Sequence, residues 1–438
     1  MNEGGLSFMV RALRHRNYRL FFSGQTVSLI GTWMTRIATS WLVYRLTRSS
    51  LLLGLVGFAG QIPSFLLAPV AGVLVDRWNR HRLLVVTQVL AMLQSAAMAV
   101  LALTGVINIW HVLALSLFQG VINAFDMPGR QSFVVEMVEK REDLPNAIAL
   151  NSSMVNAARL LGPSIGGVII AAVGEGWCFG IDAASYLAVI ASLLLMRLTP
   201  RPRSASRGAR VLPEMRAGFS YVAGSPPIRS ILLLLALVSL VGMPYTVLMP
   251  VFASTILHGG PHTLGFLMAA TGVGALLGAV FLANRRSVLG LGKIIPLMSA
   301  VFGAGLIGFS LSRTLWLSIP LLFVTGLGFM VQMAASNTLL QTLVDDDKRG
   351  RVMSFYTMAF MGTTPFGSLL AGILAQRIGA PQTLLLGGAG CLAAALWFAL
   401  LLPNLREQVR PIYIRLGILP EMAEGISTAT QLTAPPER

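Results

Sequence analysis

Twelve long apolar stretches separated by short polar segments limit what this chain can become. About 20 apolar residues in helical form span the hydrocarbon of a bilayer. A helix also satisfies its own backbone amides, which lipid cannot do. The stretches fall at roughly 20–44, 51–75, 83–104, 109–127, 147–172, 178–197, 230–256, 263–284, 294–311, 315–340, 352–376 and 383–402. Charged residues make up only 11% of the chain, where a soluble protein carries about 25%. Lipid must therefore be the solvent for most of the surface. The first stretch continues to about residue 44 and has no small-residue cleavage site, so it reads as a retained span rather than a cleaved signal.

The net charge of +16 sits in the short connections rather than on one polar domain, which excludes a nucleic-acid partner. With the N-terminus inside, 27 of the 33 Lys and Arg lie on the cytoplasmic side. Arg45, Arg48, Arg313 and Arg377 lie outside, and Arg36 and Arg159 within spans. The bias predicts both termini in the cytoplasm of a multi-pass inner (plasma) membrane protein.

A polar segment at 198–228 divides the chain into bundles at 1–197 and 229–403, followed by a cytoplasmic tail at 404–438. Its later part suits an interfacial helix, with Arg216 toward the headgroups. The halves resemble each other. LGPSIGGVIIAAVG at 161–174 aligns with FGSLLAGILAQRIG at 366–379, so that Gly162, Gly167 and Gly174 meet Gly367, Gly372 and Gly379. SLIG at 28–31 echoes SLVG at 239–242. Duplication predicts an all-α membrane protein of twelve helices in two pseudo-symmetric six-helix bundles, with a site between them.

Cys178 and Cys391 have no metal-ligand spacing, and the five histidines lie at span ends or in connections. No phosphate-binding loop is present. The chain reads as neither an enzyme nor an ATP-driven pump, and no cofactor or metal is expected.

GVLVDRWNRHR at 72–82 resembles the loop signature of the major facilitator superfamily. Gly72, Leu74, Asp76, Arg77, Arg80 and Arg82 stand where that pattern asks, and Asn79 replaces its second glycine. Asn tolerates a left-handed turn best among non-glycine residues. Asp76 ends a helix and can face the positive N-terminus of a neighbour. Arg77 and Arg80 are expected to pair with Asp126 at the end of the fourth helix. The resemblance implies a cytoplasmic latch of Gly72, Asp76, Arg77, Arg80 and Asp126, closed when the cavity faces outward. Arg82 and His81 read as ordinary positive-inside residues.

Gly162-Pro163-Ser164-Ile165-Gly166-Gly167 resembles the fifth-helix motif of exporters in the superfamily. Proline removes an amide donor and kinks a helix. Glycines admit a neighbouring helix. Gly162, Pro163, Gly166 and Gly167 are accordingly the export signature, or alternatively a kinked packing surface. A further exporter motif places an arginine in the fourth helix, where this chain has Ser116. From about residue 8 to 420 the chain is similar to the branch containing enterobactin exporters and macrolide efflux pumps, drug:proton antiporter-like proteins.

Charges at membrane depth are costly and are functional by default. They are Arg36, Arg159 and Asp182, all in the first half. The two arginines are expected to attract an anionic or phenolic group, while Asp182 pairs with one of them or titrates. The alternative is a static ion pair. The expected function is secondary-active export of a small amphiphilic molecule, a siderophore-like metabolite or a drug, by a proton-coupled monomer surrounded by membrane lipids. A lipid or lysolipid transporter of the same fold is the second reading and a non-transporting sensor the third.

Overall fold

The computed structural model describes residues 11–197, 211–285, 287–416 and 418. Residues 1–10, the first part of the linker at 198–210, and the tail from 419 onward lie outside them. Within the helices, the side chain of Asp76 is also outside the description.

Twelve long helices account for the described chain. The first half comprises α1 (Arg16–Thr47), α2 (Ser50–Arg77), α3 (Arg80–Leu103), α4 (Ile109–Met137), α5 (Leu144–Val173) and α6 (Glu175–Leu194). A linker helix, Val211–Gly224, leads to the second half. There α7 runs in three pieces, Pro226–Val241, Tyr245–Val251 and a π-helical turn Phe252–Ile256. It is followed by α8 (Pro261–Ala283), α9 (Leu291–Leu311) and α10 (Leu315–Leu343). α11 comprises Asp346–Thr357, a π-turn Met358–Gly362 and Thr364–Ile378, and α12 spans Ala380–Arg415. α12 thus carries helix well into the segment read as a tail.

Among the described residues, eleven helices are long and apolar enough to cross a membrane by composition. α1 is the twelfth, long enough at 32 residues but diluted by Arg16, Arg19, Arg36, Arg45 and internal polar groups. Much of that polarity faces inward: Gln25 and Ser28 are buried. The outward-facing surface of the molecule is apolar instead, with Leu66, Trp110, Trp316 and Leu400 exposed, as a bilayer requires.

The helix pairings repeat. α1 packs on α6, α2 on α4, α3 on α4 and α6. In the second half α7 packs on α12, α8 on α10, α9 on α10 and α12. The halves meet through α2 with α11 and α5 with α8, which exchange under the same operation. Two pseudo-symmetric six-helix bundles result. The aligned glycines fall in equivalent places: Gly174 joins α5 to α6 at φ 91°, and Gly379 joins α11 to α12 at φ 90°. Those backbone angles are open to glycine and costly for other residues.

The interface between the halves is tight at one end only. A Cβ on Gly54 of α2 would lie 2.8 Å from Gly372 Cα of α11. Its symmetry mate is equally close: a Cβ on Gly167 of α5 would lie 2.9 Å from Gly265 Cα of α8. Here the backbones touch, and no side chain fits between them. The connections after α1, α3, α5, α7, α9 and α11 lie at this distal end, while the start of α1, the linker helix and the end of α12 lie at the terminal end. Polar contacts across the halves reinforce it. Tyr44 and Thr255 hydroxyls meet at 2.6 Å, Arg48 Nη1 donates to Ser254 Oγ at 2.9 Å, and Ser49 Oγ donates to Gln376 Oε1 at 3.2 Å. Toward the terminal end the helices diverge. Contact persists to mid-helix, where a Cβ on Gly362 of α11 would meet the Phe65 ring of α2 at 2.8 Å and one on Gly272 of α8 would meet Leu160 Cα of α5 at 3.3 Å, whereas one on Gly72 would meet nothing within 4 Å. α2 packs mainly on the Thr364–Ile378 segment of α11.

Candidate functional site

The two interior arginines come together on one indole. Arg36 Cζ lies 4.6 Å from the ring centroid of Trp33, and Arg159 Cζ lies 5.1 Å from the same centroid. Trp33 precedes Arg36 by three residues, so the two share a face of α1. Arg159 arrives from α5, and the reason it can is written in the glycine motif. A Cβ on Gly162 would lie 2.5 Å from Trp33 Cβ and 2.8 Å from the Ile30 carbonyl oxygen. Gly162 therefore seats α1, and Trp33 with it, directly against α5. Gly166 does the same for Met34 one turn on. Gly167 turns to the other side and makes the α5–α8 contact. Pro163 stays inside a continuous α5. Having no N–H, it frees the carbonyl of residue i−4, which is Arg159.

Arg36 and Arg159 find no protein anion. Among the described residues, neither lies in an ion pair and neither donates a hydrogen bond to a protein acceptor. Arg36 keeps accessible surface although protein surrounds it, so it faces an internal cavity rather than lipid. Arg159 also faces the opposite half, where Tyr245 is an electrostatic neighbour. Tyr245 opens the second piece of α7, immediately after the break at 242–244. Cation–π contact with Trp33 contributes about 0.5–2 kcal/mol per arginine. It leaves the guanidinium N–H donors to be met by water or a ligand.

Asp182 does not pair with either arginine, contrary to the ion-pair expectation. It is 1% exposed, and its Oδ2 accepts from Thr35 Oγ1 at 2.9 Å and Ser95 Oγ at 2.7 Å. Successive residues on a helix point about 100° apart. Thr35 turns toward α6, so Arg36 turns away from it. Asp182 Oδ1 has no hydrogen-bond partner and faces Gly31, whose missing side chain leaves it room. Asp182 is buried between α1, α3 and α6, not hydrated at the surface.

The latch residues are only partly brought together. Asp126 pairs with Arg130 at 2.8 Å and accepts from Gln88 Nε2 at 2.7 Å and Thr87 Oγ1 at 3.0 Å. Neither Arg77 nor Arg80 reaches it. The cause is the length of α4, which runs to Met137 and places Asp126 about three turns inside the helix. Arg80 meets Glu136 at 2.8 Å instead. Arg77 is exposed at the end of α2, and Gly72 faces open space. Asn79 is not a left-handed turn. At φ −73° it caps α3, its side chain accepting from Arg82 N. The side chain of Asp76 lies outside the described residues.

Trp33, Tyr245, Thr35 and Ser95 escaped the sequence reading. A tryptophan three residues before an intramembrane arginine is the only signal that pointed to any of them. One titratable cluster outside the spans also went unread. His15 Nε2 and Arg11 Nε hold Asp143 at 2.8 and 2.9 Å, tying the N-terminal segment to the connection between α4 and α5. The His15 hydrogen bond, with Arg11 adding to it, keeps the Asp143 carboxyl below its ordinary range.

The family model described as "Transmembrane secretion effector" matches residues 9–412. The Staphyloferrin A transporter of Staphylococcus aureus is 27% identical over 385 residues, covering 87% of this chain and 95% of its own. The multidrug efflux pump Tap of Mycolicibacterium fortuitum is 28% identical, covering 86% and 93%. The enterobactin exporter EntS of Escherichia coli is 24% identical, covering 90% and 93%. Among solved structures, a bacterial homologue of the human lysosomal transporter Spinster, inward-facing and unoccupied, superposes with TM-score 0.68 at 14% identity. That match covers 93% of this chain and 99% of the other. At that identity the likeness establishes the fold alone. The chain belongs to the transmembrane secretion effector family of the major facilitator superfamily.

Proposed function

We propose that this protein is a secondary-active exporter of small amphiphilic molecules that works by alternating access. The observation that carries the reading is the one-ended closure of the halves. Glycine pairs seal α2 to α11 and α5 to α8 at the distal end, while Gly72 at the terminal end stands in open space. A passage open at one end and leading to interior charges is what a rocking two-bundle carrier presents in one of its two states. The excess of Lys and Arg on the terminal end supports a cytoplasmic opening and an inner-membrane location with both termini inside. The siderophore and drug exporters among the relatives support outward movement of cargo.

Within this reading Arg36 and Arg159 meet the cargo. Gly72, Asp76, Arg77 and Arg80 close against α11 when the terminal end shuts, with Asp126 bracing α3 and α4 behind them. Asp182 is the candidate proton carrier for coupling, and the working unit is the monomer. An ion gradient rather than nucleotide hydrolysis supplies the driving force in this reading, with protons as the coupling ion, since the sequence has no phosphate-binding loop of the P-loop type.

Untargeted profiling of the medium tests the function. Cells making the intact protein, cells making Asp76→Asn and cells with empty vector are compared. A compound enriched outside only with the intact protein is the expected result. No enrichment across several media, with the protein present in the membrane, would contradict export. Enrichment of lysolipids alone would favour the lipid-transporting variant of the same mechanism.

A further inference from the structure

The interior of a carrier can tolerate a buried charge if a fixed counter-charge neutralises it. The first half does this for one cation: Arg130 sits on Asp126. At the distal end Glu175 takes Arg45 at 2.6 Å. Arg36 and Arg159 stand apart from this pattern. They are the two intramembrane cations without a protein anion among the described residues, and they converge on the same ring. Asp182 is held by Thr35 and Ser95 on another face of α1 and leaves them uncompensated. The second half comes up to Arg159 through α8, where a Cβ on Gly272 would lie 3.6 Å from the Arg159 carbonyl oxygen, and Tyr245 at the break of α7 acts on Arg159 electrostatically. Broken helices facing a midplane cavity are where carriers of this kind bind cargo.

We propose that Arg36, Arg159 and Trp33 form a receptor for an oxyanion borne on the cargo, a carboxylate, phenolate or phosphate. This deepens the transport reading and rests on it. The two guanidiniums supply charge-assisted N–H donors, which suit planar oxyanions better than an ammonium would. Trp33 holds both by its π face and fixes their spacing. Gly162 positions Trp33, so the glycine-proline motif and the charge site are one construction. Binding an anion removes the repulsion between the two cations.

The test uses the full chain in lipid nanodiscs and equilibrium dialysis. Salicylate and citrate stand for soluble cargo, and lysophosphatidylglycerol for a lipid headgroup. Salicylamide, trimethyl citrate and monoacylglycerol are the uncharged counterparts. At least one anion should bind tenfold or more tightly than its counterpart. Arg36→Gln and Arg159→Gln should each remove that preference, and an Arg285→Gln control should keep it. Trp33→Phe keeps both charges and an aromatic face, so it should weaken binding several-fold while keeping the preference for anions. Arg159→Lys, which retains the charge if Arg159→Gln fails to fold, should do the same. Equal binding of neutral counterparts, absence of anion binding, or a preference that survives both Arg→Gln changes would overturn the proposal. Which anion binds separates soluble cargo from lipid. Export of only neutral or cationic compounds by the intact protein would overturn the oxyanion site and leave the transporter reading standing. Anion binding without any export would do the reverse.

Discussion

The two halves of the molecule share a fold and differ in chemistry. In the first half the interior carries Arg36, Arg159, Asp182 and the Asp126–Arg130 pair. In the second half the equivalent volume is aromatic. Phe302 lies between Tyr245 and Phe329 at 6.1 and 5.3 Å, Phe329 reaches Phe360 at 5.9 Å, and Phe252 packs on Phe309 at 4.6 Å. Its buried polar groups are hydroxyls and an amide, such as Ser299, Thr325 and Gln332. Duplication preserved what makes the helices pack, namely glycines at contact points and the positive-φ joints. It did not preserve charge. One half carries the charges and is the chemical arm, and the other presents an aromatic wall.

The largest effect on stability should come from breaking the wall. Phe309→Ala removes a fully buried ring packed on Phe252 and should cost about 3–5 kcal/mol, read as a fall in thermal unfolding temperature. Its residual folded fraction should keep the same anion preference. A changed preference would mean that the second half also selects cargo. Next in size is the chemical arm itself. Arg159→Ala should lower export tenfold or more, while Ser299→Ala, a buried hydroxyl that bonds only the Ile295 carbonyl of its own helix, should leave export near normal. Equal losses from both would erase the contrast between the halves.

Gly162→Ala sharpens the comparison at smaller cost. The added methyl meets Trp33 and the Ile30 carbonyl, so α1 and α5 must part, at about 1–3 kcal/mol of overpacking. Export should fall more than stability does, because Trp33 carries the two arginines. The symmetry-related Gly367→Ala meets the Leu240 carbonyl and Pro244 and should cost stability with less effect on export. The smallest effect is at the surface. Asp143 titrates below its usual value of 3.8 because His15 donates to it. Its contribution to the N-terminal tether is therefore complete above about pH 4 and is lost as pH falls through the lowered folded value. Amide exchange at Ala12, whose N–H donates to Asn146, should accelerate only in that acidic window. Acceleration near neutral pH would point away from Asp143.

Most of the fold was legible because a bilayer imposes a coarse, strong rule: length and apolarity mark a span whatever its neighbours do. The glycine repeat was legible for a similar reason, since backbone contact and positive φ both demand the smallest residue. Details that depend on which way a side chain turns were not. Asp126 was assigned to the wrong arginines because α4 outruns its apolar stretch, and the polar end of a helix gives no hydropathy signal. Asp182 is expected from sequence to pair with Arg36 or Arg159, or to titrate, because opposite charges at depth attract, and the structure holds it on Thr35 and Ser95 instead. The angular positions of Asp182 on α6, Arg36 on α1 and Arg159 on α5 keep them apart. The break in α7 at 242–244 lay within an unbroken apolar run, with Pro244 its only mark. Trp33 looked like one more aromatic in a membrane helix until Gly162 placed it under Arg159.

The most direct test of the rocking account is a pair of distances measured by electron–electron resonance on spin-labelled protein in nanodiscs. One pair of labels, at Leu51 and Gln376, reports the distal end, and a second, at Arg82 and Arg351, reports the terminal end. The native cysteines are buried, which keeps background labelling low. In the unmodified protein the distal pair should be short and the terminal pair long. Gly265→Trp, a wedge driven into the α5–α8 contact, should lengthen the first and shorten the second together. Lengthening at the distal end with no change at the terminal end would contradict alternating access by rigid halves.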